Sequence, residues 1–174
     1  MNSPSSPASK GAIINGLMPV DAVAGLIRAG ACLTVAGRKA ALDRLPAGQW
    51  IGGTSPYFMT LDGGRVVSDD EVFVTDLGAY GDVTIAAVDV HELERISGDA
   101  PDHGISIAII PAGSPCHEAF ARNAGTYPDA FLKPAVGWIA GTIWPSRHRP
   151  RASTMAAPHW RCTTAPSSHT SRCR

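Results

Sequence analysis

The sequence predicts an α/β or α+β domain, with a mixed β-sheet, short flanking helices and a hairpin-rich middle. Two observations predict it. Short amphipathic segments alternate with short apolar runs at both ends of the body. Between them, Asp62-Gly63-Gly64 separates two β-prone runs, as a hairpin turn does. No internal repeat or heptad run competes with this reading.

The elements follow in order. Pro19–Ala29 is a predicted helix, with Pro19 in its first turn, Asp21 near the positive end of the dipole and Gly30 after it. Cys32–Ala36 is a short apolar run, hence a buried strand. Arg38–Leu45 is a short helix that stops before Pro46. Gln49–Gly53 is a strand entering a glycine turn, and Tyr57–Leu61 and Arg65–Ser68 are the hairpin arms. Glu71–Leu77 alternates Val72 and Val74 against Phe73 and Thr75. Asp82–Val88 is a further strand and Val90–Ile96 a short helix. Ile105–Ile110 is the most apolar strand of the chain. Ser114–Asn123 is a helix with Ser114 as N-cap and Pro115 at the first position. Ala135–Ala140 returns as a strand.

The formal net charge of zero is a cancellation. Residues 1–143 hold nine Lys and Arg against all fifteen Asp and Glu, a net of −6. Residues 144–174 hold six Arg and no acid. That segment also has no Gly, Leu, Val or Ile, so it cannot build a core. The domain expectation is therefore a disordered leader over 1–11, one α/β domain over 12–143 and a basic tail over 144–174. Three readings of the tail stand open: a disordered extension, a nucleic-acid or zinc arm, and out-of-frame translation. His159, Cys162, His169 and Cys173 would supply zinc-type ligands, but at a spacing no common finger uses. Out-of-frame translation would make the body an incomplete domain with an exposed sheet edge. An acidic body disfavours nucleic acid as a partner. The start lacks a signal-peptide pattern and no apolar run spans a bilayer, so the expectation is a cytoplasmic protein with reduced Cys32 and Cys116.

Three places could carry chemistry. Gly52, Gly53, Thr54 and Ser55 end a strand, where glycines admit close backbone approach and hydroxyls can bond a ligand. They form neither a Walker loop nor GxGxxG. The alternative is a tight turn or close packing. Gly113, Ser114 and Cys116 form the loop after the most apolar strand, a place where ligands sit in α/β folds. Cys116 falls in a helix first turn, where the dipole can lower a thiol pKa, with His91 or His103 as distant helpers. The alternative is plain capping. Asp62 with Asp69-Asp70-Glu71 could hold a hard cation, but without a calcium-loop pattern a solvated turn is the plainer reading. Trp50 and Trp138 both precede small-residue turns. Either both are core, or they mark two strand ends facing one pocket.

The stretch Leu45-Pro46 through Trp50-Ile51-Gly52-Gly53-Thr54-Ser55-Pro56-Tyr57-Phe58-Met59 resembles one found in uncharacterised bacterial proteins. Together with Ala135-Val136-Gly137-Trp138-Ile139-Ala140-Gly141 it is similar to FIST-type sensory domains. That resemblance implies a bacterial α/β module that binds a small ligand and feeds a signalling protein. Gly-Gly-Thr-Ser stands where that family carries a Cys-containing turn, and no catalytic residue carries over.

The expected function is a non-enzymatic ligand-sensing or regulatory module, with a pocket near Gly52–Ser55 and the Gly113–Cys116 loop. The expected partners are a small-molecule ligand and a signalling protein, with no membrane. No cofactor and no metal are implied. The alternatives are an enzyme with a Cys116 nucleophile and a truncated, non-functional fragment.

Overall fold

The computed structural model describes residues 14–60, 63–66 and 68–141. The leader, the basic tail with its His and Cys residues, and Asp62 lie outside the described residues.

Strand β1 (Asn15–Pro19) leads directly into helix α1 (Val20–Arg28), with Pro19 at the N-cap. The predicted helix starts one residue late because Pro19 completes the pairing of β1 with β6 (Glu71–Asp76). β2 (Leu33–Gly37) and β3 (Trp50–Thr54) run parallel, joined through the short helix α2 (Lys39–Leu42). These strands form one mixed sheet in the order β1-β6-β2-β3. The hairpin of β4 (Tyr57–Thr60) and β5 (Gly63–Val66) forms, but its second arm starts at Gly63 rather than Arg65, so Gly63 and Gly64 pair with Thr60 and Met59 instead of making the turn.

Asp82–Val88 is not a strand. The segment is irregular, with a single bridge residue at Thr84, and Ile85 plugs into a core cluster with Ile51 and Ile109. Anchoring by one buried side chain does not require a ladder, so the apolar run misleads a periodicity argument. Helix α3 (Arg95–Gly98) is shorter and later than Val90–Ile96. β7 (Ser106–Pro111), α4 (Pro115–Asn123) and β8 (Ala135–Ala140) match their expected places, and β7 pairs with β8 in parallel.

The main sheet buries both faces. Leu33, Val35, Val72 and Val74 meet Val20, Val23 and Ile27 of α1 on one face. Register puts Ala36, Gly53 and Phe73 on the opposite face. There Phe58 of the hairpin stacks on Phe73 at 5.4 Å, and Ile109, Trp138 and Ala140 of β7–β8 pack beside Ile51. Beyond β7, a third cluster joins Ala108 and Ile96 to Cys116 and Phe120 of α4. Among the described residues β8 pairs with β7 alone and exposes Val136 and Ile139.

Cys32 is buried. Cys116 is free. No helix among the described residues is long and apolar enough to cross a membrane.

Candidate functional site

Because β2 and β3 are parallel, their carboxyl ends emerge side by side. The chain leaves one through Gly37-Arg38-Lys39 and the other through Thr54-Ser55-Pro56. Ligands of open α/β sheets bind in crevices at such ends. Here the crevice has two lobes. One, of about 330 Å³, is walled by Arg38, Lys39, Tyr57 and Val66. The other, of about 360 Å³, is walled by Phe58, Phe73, Trp138 and Ile139. Thr54, Ser55, Pro56 and Gly141 line both lobes, so the two adjoin.

The first lobe is cationic. Arg38 reaches Asp69 at 3.6 Å and Lys39 reaches Asp43 at 2.6 Å, all on exposed side chains. Exposed pairs of this kind contribute about 0–1 kcal/mol, so an incoming anion can compete for either cation. Among the described residues, no Asp or Glu lines either lobe. Ser55 Oγ donates to the Tyr57 carbonyl at 2.9 Å and fixes the turn that presents Tyr57. The second lobe is aromatic, roofed by the Phe58–Phe73 pair.

The expected site residues divide. Thr54 and Ser55 line the crevice. Gly52 and Gly53 are buried in β3 and serve packing. A Cβ on Gly52 would stand 2.7 Å from the Val35 carbonyl, and one on Gly53 would stand 2.7 Å from Ile109. Gly113, Ser114 and Cys116 line neither lobe. Of the two tryptophans, Trp138 walls the crevice, while Trp50 packs on the helix side and donates its indole N–H to the Pro46 carbonyl at 2.9 Å.

A family described as of unknown function, DUF6976, has a model that matches residues 18–161. The chain belongs to that family. No curated protein and no solved structure matches it. Both lobes, from Ala36 to Gly141, lie inside the DUF6976 match, as does the stretch Leu45–Met59. The match also crosses the charge boundary at Ile143.

The remaining candidates of this DUF6976 chain are held by neighbours. Ser114 caps α4: its Oγ accepts from the His117 backbone N–H at 3.1 Å and donates to the Pro111 carbonyl at 2.7 Å. His117 Nδ1 accepts from the Gly113 N–H at 3.1 Å, which turns the imidazole to the loop backbone. Burial pushes the Cys116 thiol above its ordinary pKa, and the charge of Asp89 adds to the shift. This environment suppresses the thiolate that a nucleophile needs. His91 and His103 are exposed. The acidic run faces arginines: Asp69 meets Arg38, Asp70 meets Arg44 and Glu71 meets Arg65. Among the described residues, no three His, Cys, Asp or Glu are grouped to hold a metal ion.

Arg38, Lys39, Tyr57, Phe58 and Phe73 escape a search for motifs. One sequence signal points to the first two: a basic pair one glycine after the buried run Cys32–Ala36, hence at a strand's carboxyl end.

Proposed function

We propose that this protein is a non-enzymatic ligand-sensing or regulatory module whose ligand sits in the crevice at the carboxyl ends of β2 and β3. The observation that carries this reading is that the two lobes adjoin at Thr54 and Ser55, which line both. A cationic wall and an aromatic wall flank one small-molecule-sized space, as in sites that fix one polar group and bury an apolar body. The resemblance of Trp50–Met59 and Ala135–Gly141 to FIST-type sensory domains agrees with it, since both patches border the crevice. A signalling protein as downstream partner belongs to the same reading.

A fragment screen by 1H–15N NMR on the full chain tests the proposal. Hits that shift the amides of Arg38, Thr54, Ser55 and Tyr57 support it. A screen whose hits all map elsewhere overturns it. A cytoplasmic location is also part of the reading, with reduced thiols as its consequence. Thiol counting on protein drawn directly from cells decides that point.

A further inference from the structure

We infer that the ligand is a small amphipathic organic anion: one carboxylate-type head against Arg38 and Lys39, and a compact apolar body between Phe58, Phe73 and Trp138. The inference rests on the crevice reading above and adds the chemical class. Three observations carry it.

The first is charge. The body is acidic, yet the crevice wall presents Arg38 and Lys39, held to Asp69 and Asp43 only by exposed ion pairs. Such exposed pairs are weak, so an incoming carboxylate can take the place of Asp69 or Asp43 at these cations. The second is hydrogen bonding. The Ser55 and Thr54 hydroxyls sit where the lobes join. The Thr54 hydroxyl can donate to an anionic oxygen bound at the cations, while the Ser55 hydroxyl is committed to the Tyr57 carbonyl and Arg38 offers a planar fork suited to a carboxylate. The third is shape. The second lobe has aromatic rings and Ile139 on its walls and no charged side chain, so it disfavours a polar extension of the ligand. Its volume of about 360 Å³ suits a single ring or short chain. A free inorganic anion would leave the aromatic lobe unused. A dianionic sugar phosphate would put hydroxyls against Phe58 and Phe73.

The test uses three probes with one body and different heads: phenylacetate, phenylacetamide and phenethylamine, each titrated into the full chain by NMR. The acid is expected to shift Arg38, Ser55 and Tyr57 amides together with the Trp138 indole N–H. It should bind at least ~10-fold more tightly than the amide, a difference of about 1.4 kcal/mol. Raising the salt to ~0.5 M should erase most of that preference. Arg38→Gln should reduce acid binding to the level of the amide. Arg38 is exposed and its partner pair is on the surface, so the variant keeps the fold, and its spectrum confirms that. Equal binding of acid and amide in the crevice overturns the anion class and leaves the crevice reading intact. So does a tighter amine. If all three probes fail at ~10 mM while the fragment screen still finds crevice hits, the anion class falls alone. If that screen is also blank at the crevice, both readings fall.

Discussion

Gly53 on β3 lies against Ala140 on β8: a Cβ at position 53 would stand 2.7 Å from the Cβ of Ala140 and 2.7 Å from Ile109 Cγ2. The main sheet and the β7–β8 pair thus meet at a glycine, and the aromatic lobe opens beside that contact.

Gly53→Ala should therefore cost about 1–3 kcal/mol, since neither neighbour can withdraw without moving a strand. Gly25→Ala is the contrast. Gly25 is exposed within α1 and an added methyl meets nothing within 4 Å, so it should gain about 0.5–1 kcal/mol. Urea denaturation of both variants checks the pair, and an unchanged Gly53→Ala midpoint would contradict the packing account.

Gly137 has φ of 151° and a Cβ there would fall on the Ala108 carbonyl. Gly137→Ala should break the β7–β8 ladder at the cost of at least ~2 kcal/mol. Hydrogen exchange should then rise selectively across 106–111 and 135–140, sparing β2 and β6. Uniform protection in the variant would argue against it.

Two serines should respond with opposite signs. Ser106 is 2% exposed and its hydroxyl has no hydrogen-bond partner. Ser106→Ala should be neutral or stabilising by up to ~1 kcal/mol, because a buried unpaired hydroxyl is costly. Ser114→Ala removes the α4 cap and should cost about 1 kcal/mol. Thermal unfolding of the two variants measures both.

Cys116 should react slowly with thiol reagents at neutral pH. Its pKa is raised chiefly by burial, so the neutral thiol is favoured by the fold. The sign for stability follows. Below about pH 8.5, where an unfolded thiol is protonated, the group contributes no penalty. Above it, the unfolded chain releases its proton first and stability falls until the folded thiol also ionises. Cys116→Ala should flatten that alkaline decline in part, leaving the Tyr127 contribution, which has the same sign. A labelling rate at neutral pH above that of a free thiol would revive the nucleophile alternative.

Much of the fold was legible locally. Ser114-Pro115 announces the start of α4, Val72 and Val74 announce the buried face of β6, and the apolar run before Arg38 announces β2. These signals are carried by neighbours in sequence: caps, two-residue alternation and apolar runs. Gly52-Gly53 stands out in the sequence as a glycine pair at a strand end. The glycines make room for packing, and Thr54 and Ser55 after them line the crevice.

Sequence alone set the order of elements, the separation of an acidic body from a basic tail, and the strand end at which to look. Tertiary structure decided the rest. It made β1 a strand, because its partner β6 lies more than fifty residues away. It left 82–88 irregular, because Ile85 found a core without a ladder. It also brought Arg38 and Trp138 to one crevice, because the β2–β3 register and the approach at Gly53 fix which faces meet. Periodicity shows that a strand has two faces, but only the assembled layers determine what each face touches.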